Sequence, residues 1–316
     1  MDNSKPIWFT SANLRYLDRA AMLSESMKEV HKDWESVLVL VDEIPKEREV
    51  FNELTKHFDL IITPEELGIS NPQSWFKPSH NSPEFNSVLE WLSSLRVVEA
   101  CTAIKPFAFA HLGKLARPIF YLDPDTIVFS SLNEIWNSLK NGGSIVVTPH
   151  LLSPAKDHQA IIDNEIATLK YGIFNFGFLA LDPQKENAIS FIHFWQERMK
   201  YFCTGETASG LFTDQKWGNL LPTFYEDLII SRHPGMNVAN WNLENRHLSF
   251  NSDGECLVNG EPLILYHFSK AKTNGLQITS RYAKGNSNVA AIWRWYLSKM
   301  KPKSDLLSQQ NWKTLH

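Results

Sequence analysis

Short apolar runs alternate with segments of helical periodicity along most of the chain. The apolar runs span residues 6–11, 36–42, 58–63, 143–149, 171–181, 224–230 and 263–268. Apolar side chains recur at near-helical spacing over residues 13–30, 84–103, 105–115 and 185–202. Strands that alternate with helices are typical of α/β proteins with a mainly parallel sheet. The pattern therefore predicts an α/β fold.

Residues 119–129 form an unusual run, because two carboxylates interrupt it. Four apolar residues lead into Asp123, then Pro124 and Asp125 follow, and the apolar pattern resumes at Thr126. A buried strand tolerates such charges only when something compensates them, and proline removes a backbone N–H. We therefore expect the strand to end or bend here, with both carboxylates in one space. Two oxygen ligands this close suit a divalent cation, but spacing alone leaves a solvated turn equally open.

Single polar residues interrupt several of the other apolar segments. Lys105 lies in an apolar helix, Asn175 and Gly177 lie in a strand, Asp214 lies at a helix start, and His267 lies near the end of the last strand. Each has an ordinary structural explanation: a lysine reaches solvent, a glycine marks a bulge, an aspartate caps a helix, and a histidine is hydrogen-bonded. The residues alone mark these positions as candidates.

Composition narrows the classes of function. The 316 residues are 43% hydrophobic, which is enough for one large domain, and the net charge of −4 provides no positive field for nucleic acid. The three cysteines, Cys101, Cys203 and Cys256, are far apart and predict neither a disulfide framework nor a zinc site. Neither a secretory signal nor a membrane-spanning run is visible. These features predict a cytoplasmic protein.

The end of the chain has the pattern of an additional helix. From residue 286 on, apolar and aromatic side chains share one side, and basic residues lie among them. We expect this helix to dock on the preceding domain, although a basic, aromatic helix can also rest on an anionic membrane surface. The predicted organisation is one domain over residues 1–285 and a helical extension over residues 286–316.

Taken in order, these segments resemble the GT-A nucleotide-sugar glycosyltransferases, most closely family 8 and its bacterial relatives in surface-polysaccharide synthesis. The matching segments are residues 10–16 (a nucleoside-binding start), Lys105 (a basic donor contact), 121–129 (the DxD strand), 174–179 (a strand with a sugar-contacting Asn), the pair Asp214-Gln215, and 266–269 (a late metal-binding His). The resemblance covers roughly residues 5–280. It implies a Rossmann-like, mostly parallel sheet flanked by helices, with the C-terminal helix as an appendage.

The resemblance also implies an activity and a set of site residues. The chain would move a sugar from a nucleotide-diphosphate sugar, UDP favoured, to a glycan or lipid-linked acceptor, with Mn²⁺ or Mg²⁺ as the cofactor. The metal ligands would be Asp123, Asp125 and His267. The catalytic pair would be Asp214 and Gln215. The donor contacts would be Thr10, Ser11, Tyr16, Lys105, Asp123, Asp125, Asn175, Gly177, Asn242, His267, Lys270 and Lys272.

Family 8 enzymes retain the anomeric configuration, which makes Asp214 the candidate carboxylate on the far face of the sugar. If the enzyme inverts instead, a general base is needed, and the unplaced candidates are Asp157, Glu226 and Asp227. Aromatic faces stack on sugar rings, so the acceptor wall is assigned to the later half of the chain, with Trp217, His233 and Trp241. Each of these three could equally be a core residue.

One segment departs from the family pattern. In family 8 the late His is followed three residues on by Gly and then by Lys-Pro-Trp. Here Lys270 stands in the Gly position, Lys272 comes one residue early, and Thr273 and Asn274 follow. The detailed phosphate contact is therefore open, while the basic character of the segment is kept.

Other classes of function remain open beside this one. A catalytically inactive nucleotide-sugar or carbohydrate-binding protein would keep the same site residues without turnover. A sugar nucleotidyltransferase shares the fold type, but its glycine-rich phosphate loop is missing from residues 9–15. A structural α/β protein would use the aspartates only in a turn. The expected location is the cytoplasm, with peripheral contact at the inner face of the membrane through the C-terminal helix.

Overall fold

The centre of the protein is a seven-stranded mixed sheet. The computed structural model describes residues 4–43, 48–69 and 85–307. Within them the strands are β1 (Ile7–Ala12), β2 (Glu35–Leu40), β3 (Leu60–Ile62), β4 (Ile119–Leu122), β5 (Thr126–Val128), β6 (Ile145–Pro149), β7 (Phe174–Leu181), β8 (Leu228–Ile230), β9 (Leu248–Phe250), β10 (Cys256–Val258), β11 (Glu261–Pro262) and β12 (Leu265–His267). The large sheet has the order β3-β2-β1-β4-β7-β6-β8, and of these strands only β7 runs antiparallel to both neighbours. The predicted, mainly parallel sheet is confirmed.

Helices cover both faces of this sheet. In the described parts of the chain they are α1 (Leu17–Val30), α2 (Arg48–His57), α3 (Val88–Ser93), α4 (Val97–Ala103), α5 (Lys105–Gly113), α6 (Asn133–Lys140), α7 (His158–Ala160), α8 (Ile166–Tyr171), α9 (Glu186–Phe202), α10 (Leu221–Phe224), α11 (Gly275–Tyr282) and α12 (Ser287–Leu307). Short 3-10 segments are Leu14–Tyr16, Pro64–Leu67, Thr207–Ser209, Trp217–Leu220 and Asn240–Asn245, and a π-helical turn is Ile161–Glu165.

Alternating side chains of the strands build a core on each side of the sheet. Ile7 and Phe9 of β1 pack in one cluster with side chains of α3, α4, α5 and α9. Trp8 and Ala12 face the other way and pack with α1, α2 and α6. Successive strand residues point to opposite faces, so a sheet covered on both sides needs apolar residues at nearly every position. This explains the unbroken apolar runs in the sequence.

The central run of residues 119–129 divides at the two aspartates, as predicted. β4 ends at Leu122, and β5 begins at Thr126 and leaves the large sheet to pair antiparallel with β12. In this pairing Thr126 is the partner of His267. The division therefore brings the end of the central strand beside the end of the last strand.

Some predicted elements differ in the structure. The helix expected over residues 84–103, of which residue 84 lies outside the described part, is two helices, α3 and α4. The strand expected over residues 224–230 is confined to β8, because α10, which has a proline in its first turn, extends to Phe224. The hairpin expected at residues 254–260 is part of a three-stranded sheet of β9, β10 and β11.

The C-terminal helix docks on the domain through its aromatic side, as expected. Trp293 and Tyr296 of α12 are fully buried, and the Tyr296 ring stacks on Phe268 with centroids 3.9 Å apart. Trp293 Nε1 donates to Tyr266 Oη at 2.9 Å. None of the described helices is long and apolar enough to cross a membrane. The division at residue 286 stays a prediction, and residues 308–316 lie outside the described part.

The docking of α12 can be tested with two tryptophans of the same helix. We expect Trp293→Ala to lower the free energy of unfolding by about 3–5 kcal/mol, because it empties a buried aromatic site. Trp295→Ala should cost less than about 1 kcal/mol, because Trp295 is 40% exposed. Urea unfolding followed by circular dichroism measures both. Equal losses would show that the buried side of α12 does not hold it on the domain.

Candidate functional site

A cleft of about 780 Å³ opens where β1 and β4 end and β7 begins. Its walls come from segments far apart in the sequence, as expected at the carboxyl edge of a parallel sheet. The predicted site residues that line it are Ser11, Tyr16, Lys105, Asp123, Asp125, Asn175, Gly177, Asp214, Gln215, His267, Lys270 and Lys272. The structure thus brings most of the predicted residues into one space.

Asp123, Asp125 and His267 form a cluster that suits a divalent cation. One potential ligand atom from each lies within 4.8 Å of the others. His267 Nε2 is 3.1 Å from Asp125 Oδ1 and 3.9 Å from Asp123 Oδ2. Two carboxylates and one imidazole are ligands that Mn²⁺ accepts readily, and Mg²⁺ accepts the carboxylates.

The charges of this cluster favour a cation at the same point. Burial lowers the pKa of His267, but the neighbouring Asp125 carboxylate raises it, and the net shift is upward. Burial raises the pKa of Asp125, but His267 lowers it, and the net shift is downward. The two carboxylates therefore attract positive charge to this position, whether it comes from a proton or from a metal ion.

Gly177 leaves room for the cluster. A Cβ at this position would lie 2.7 Å from His267 Cε1, 2.8 Å from Asp123 Oδ2 and 2.7 Å from Asn175 Oδ1. The pairing of β7 with β6 also shifts register next to this point, between Val147 and Thr148. A strand glycine beside a bulge often marks a close approach, and here the approach is to the cation-binding side chains.

Lys105 is a buried cation behind the carboxylates. Its side chain is 5% exposed, and Nζ lies 3.4 Å from Asp123 Oδ1 and 3.2 Å from Asp214 Oδ2. The ammonium also donates to the backbone oxygen of Phe176 at 3.2 Å. Burial lowers the pKa of Lys105, but the two carboxylates raise it, and the net shift is upward. The structure excludes the alternative of a surface lysine.

Asp214 faces the same space from the opposite wall. It is buried, and burial raises its pKa against the lowering effect of Lys105. The preceding Thr213 has a φ of +44°, which β-branched residues rarely adopt. The expected helix begins only at Trp217, so the Asp214 side chain does not serve as its cap. Gln215 lies next to it and donates from Nε2 to the backbone oxygen of Tyr171 at 3.1 Å.

A chain of hydrogen bonds links His267 to Asn175 through Asn237. His267 Nδ1 lies 3.3 Å from Asn237 Oδ1, and only the ring nitrogen can donate in this pair. Asn237 Nδ2 donates to Asn175 Oδ1 and to Thr148 Oγ1, both at 2.9 Å. The Gly177 N–H also donates to Asn175 Oδ1. Asn237 therefore fixes the tautomer of His267, with Nε2 facing the carboxylates, and the orientation of the Asn175 amide.

The series of hydrogen bonds extends from Asn175 to His150. Asn175 Nδ2 lies 3.2 Å from His150 Nε2, which must accept, so the proton of the neutral ring is on Nδ1. Burial lowers the pKa of His150 to about 4, which keeps the ring neutral. The Trp241 ring lies edge-on to both His150 and His267, at centroid distances of 5.6 and 5.2 Å. These contacts make one polar and aromatic wall beside the cluster.

Two predicted donor contacts lie behind the cleft wall. Thr10 is completely buried, while Ser11, the next residue, lines the cleft. Of this predicted pair of neighbours, Ser11 therefore faces the cleft and Thr10 faces the other side of the sheet. Asn242 uses its amide to hold its loop against the residue after β6: Nδ2 donates to the backbone oxygens of Asn237 and His150, and Oδ1 accepts from the backbone N–H of Ala239. Asn242 therefore holds the wall in place and does not reach the cleft.

Of the predicted acceptor residues, Trp241 lines the cleft, but Trp217 and His233 do not. Trp217 packs against Phe194 and Phe202, and His233 Nδ1 accepts from a nearby backbone N–H. The alternative general bases Asp157, Glu226 and Asp227 also lie outside the cleft lining.

Lys270 keeps a backbone conformation that favours glycine. Its φ is +61°, in the left-handed region, although the residue is a lysine. Its side chain lines the cleft, as does that of Lys272, whose Nζ lies 2.5 Å from Asp18 Oδ2. The chain therefore keeps the turn expected for a glycine at position 270 and adds a positive charge there.

Asn237 and His150 were missed by the sequence analysis. Asn237 lies in the same asparagine-rich segment as Asn242, and nothing local distinguishes the two. His150 directly follows the strand β6. A polar residue at a strand end is the signal that singled out Asp123, and it could have singled out His150.

Comparisons with known proteins agree with this arrangement. The model of the family described as "Glycosyl transferase family 8" matches residues 9–229. The uncharacterised protein YfnD of Bacillus subtilis (strain 168) is 30% identical over 176 residues, which cover 54% of this chain and 53% of YfnD. YfnF of the same strain is 22% identical over 174 residues, covering 54% of this chain and 56% of YfnF. The chain thus spans about half the length of these curated relatives.

Solved structures show a similar but distant arrangement. The galactosyltransferase LgtC, in complex with donor and acceptor sugar analogues, is 13% identical, with a TM-score of 0.45. The alignment covers 88% of this chain and 96% of the LgtC chain. The glycosyltransferase GlyE of Streptococcus pneumoniae TIGR4 is 13% identical, with a TM-score of 0.44. The alignment covers 94% of this chain and 64% of the GlyE chain. Likeness of this degree does not identify a sugar or an acceptor.

The role of Asn237 can be tested by two substitutions that tolerate its φ of +50°. We expect Asn237→Gly to weaken Mn²⁺ binding by about 10–100-fold, because His267 loses the partner that orients it. Asn237→Asp keeps an acceptor for His267 Nδ1 and should bind Mn²⁺ nearly as well as the wild type. Mn²⁺ titration followed by electron paramagnetic resonance measures both. Unchanged binding in Asn237→Gly would contradict the orienting role.

Proposed function

Because the chain belongs to glycosyl transferase family 8, we propose that it transfers a sugar from a nucleotide-diphosphate sugar, with UDP as the favoured nucleotide, to a hydroxyl group of a glycan or lipid-linked acceptor. The observation that carries this proposal is the cluster of Asp123, Asp125 and His267 in the wall of a 780 Å³ cleft, with the buried Lys105 behind it. Mn²⁺ or Mg²⁺ held by the three side chains would bind the diphosphate and stabilise the negative charge that develops on it.

Two further lysines suit the diphosphate. Lys270 and Lys272 line the cleft on the segment that follows His267. A lysine in a left-handed conformation costs more than a glycine would, and a strained residue kept at a site suggests a role for its side chain. We assign this role to contact with a phosphate oxygen.

The donor sugar is proposed to lie between β7 and the segment of Asp214 and Gln215. Polar groups arranged to match hydroxyls reject sugars that lack them, so Asn175, Asp214 and Gln215 would select the donor. Asp214 Oδ2 lies 3.2 Å from Lys105 Nζ, and this ion pair reduces its strength as a nucleophile. For retention, the geometry therefore favours attack on the same face as the departing phosphate, with Asp214 supporting the sugar.

The nucleoside is proposed to lie against the end of β1. Ser11 and Tyr16 line this part of the cleft, and the Arg19 guanidinium lies 4.0 Å from the Tyr16 ring centroid. A planar pair of this kind offers a flat surface for a base. No glycine-rich loop follows β1, which speaks against the sugar nucleotidyltransferase alternative.

A cytoplasmic location with peripheral membrane contact is also part of the proposal. All three cysteines are free, which suits a reducing compartment. The aromatic side of α12 is buried in the domain, while Arg294, Lys299 and Lys301 are exposed. Contact of this helix with an anionic membrane would therefore be electrostatic and sensitive to salt.

The function is tested by melting and turnover with UDP-sugars. We expect one UDP-sugar to raise the melting temperature only with Mn²⁺, and to be hydrolysed slowly without an acceptor. Asp125→Asn should remove the Mn²⁺-dependent shift and reduce turnover by at least about 100-fold. Asp253→Asn, an equal charge change on the surface, should change neither. Binding without any turnover would favour the inactive sugar-binding alternative, and no metal-dependent shift with any nucleotide sugar would contradict the proposal.

The role of Lys270 is tested by a change that separates stability from binding. We expect Lys270→Gly to raise the free energy of unfolding by up to about 1 kcal/mol, because glycine relieves the left-handed backbone. The same change should weaken UDP binding about tenfold, because a charged phosphate contact is lost. Lys284 also has a positive φ, of +49°, and lies outside the cleft, so Lys284→Gly should leave UDP binding unchanged. Calorimetric titration with Mn²⁺ present measures binding, and equal affinities for all three proteins would contradict the role of Lys270.

A further inference from the structure

A second, smaller cavity adjoins the cleft. Its volume is about 130 Å³, and Trp241 and Asn164 line both spaces. Its other walls come from the segment after β6 and from the loop that contains Arg246. The cavity has room for several waters or for one carboxylate or phosphate group.

Arg246 brings an uncompensated positive charge to this cavity. The residue is 5% exposed, and in the described parts of the chain its guanidinium makes one hydrogen bond, from Nη1 to the backbone oxygen of Met236 at 2.7 Å. Within those parts no carboxylate lies close enough to form an ion pair with it. Burial lowers the pKa of Arg246 to about 9, so it remains charged near neutral pH. A buried charge without a partner is costly and is normally paired.

Two more polar groups at the cavity have no hydrogen-bond partner among the described residues. Asn164 is 6% exposed, and its amide makes no hydrogen bond to the described residues. Trp241 Nε1 is buried and has no acceptor within the same part of the chain. Buried donors are nearly always satisfied by protein, water or a ligand. Arg246, Asn164 and Trp241 therefore present several donors to one small space.

The acidic residue at this cavity is already compensated. Glu244 Oε1 accepts from the backbone N–H groups of Lys156 and Asp157, at 3.2 and 3.1 Å, and lies 3.7 Å from Lys284 Nζ. Its negative charge is therefore balanced by groups outside the cavity. The remaining charge that faces the space is that of Arg246.

We propose that this cavity is an anion subsite for a carboxylate or phosphate substituent on a sugar bound in the cleft. The inference rests on the proposed function, because the cleft must bind sugars. The Trp241 ring, which lies between the two spaces, would contact the sugar, while Arg246 and Asn164 bind its acidic group. The diphosphate has separate cations in Lys270 and Lys272, so the anion is carried by the acceptor or by the donor sugar. A neutral sugar would leave Arg246 uncompensated and bind more weakly.

The test compares acidic and neutral sugars by a local signal. The indole N–H resonance of Trp241, assigned with Trp241→Phe, is followed in ¹H–¹⁵N spectra during titration with methyl glucuronide and with methyl glucoside. We expect at least about tenfold tighter binding of the glucuronide, because a charged hydrogen bond is added. Arg246→Met should remove this preference. Arg281→Met, which removes a 61% exposed arginine from the lining of the large cleft, should keep it.

Two further titrations show whether the acidic group belongs to the acceptor or to the donor sugar. If the preference for free glucuronide persists with UDP and Mn²⁺ bound, the acceptor carries it. If it disappears, and UDP-glucuronate binds more tightly than UDP-glucose in an Arg246-dependent way, the donor carries it. Equal binding of acidic and neutral sugars by the wild type in both arms, or a preference that survives Arg246→Met, overturns the subsite.

The same samples separate this inference from the proposed function. The melting shift with UDP and Mn²⁺ reports on the donor site, which Arg246 does not touch. A normal shift without acidic preference rejects the subsite alone. An Arg246-dependent acidic preference without any nucleotide shift rejects the donor site and leaves an acidic-sugar site. Within the described residues Arg246 has no counter-ion and one hydrogen bond, to the Met236 oxygen, so Arg246→Met should lower the melting temperature by no more than the loss of that bond. The acidic preference, and not the melting temperature, therefore reports on the subsite.

Discussion

The buried ammonium of Lys105 is the charge on which the site depends. It lies between Asp123, at the end of β4, and Asp214, on the opposite wall, and so joins the first turn of α5 to both. Two carboxylates that share one lysine repel each other, and a cation between them offsets this repulsion. Lys105 supplies this cation, with Nζ 3.4 Å from Asp123 Oδ1 and 3.2 Å from Asp214 Oδ2. The cleft side of Asp123 is thereby left free to bind a second cation.

The hydrogen bonds of Asn237 orient the side chains on either side of it, which the charges of the site do not do. Electrostatic attraction brings positive charge to the carboxylates, but it does not orient an imidazole or an amide. Asn237 does both, because its oxygen faces His267 and its nitrogen faces Asn175. A group that would hold the cation and a group proposed to touch the sugar therefore share one support. A substitution of Asn237 would therefore affect both cation binding and sugar binding.

The sequence predicted those site residues that stand out from their neighbours, because a charged side chain within an apolar strand is unfavourable unless it is compensated. Asp123 and Asp125 interrupt an apolar strand, and the mainly parallel sheet follows from periodicity alone. Asn237, by contrast, acts through a left-handed backbone and contacts to distant strands, and the asparagine-rich segment offered Asn242 equally well. The sequence named both Thr10 and Ser11, because a strand that is buried on both faces does not show which of two neighbours faces the cleft.

The same physics explains why an acidic protein can present positive sites to anions. The chain has a net charge of −4, yet two of its cations, Lys105 and Arg246, are buried, where solvent screens a charge least. Lys105 and Arg246 are both about 95% buried, but the first is compensated by two carboxylates and the second by none in the described chain. A compensated charge stabilises the site itself. An uncompensated charge beside a cavity is balanced only when an anion arrives, and this difference is what makes Arg246 a residue for recognition.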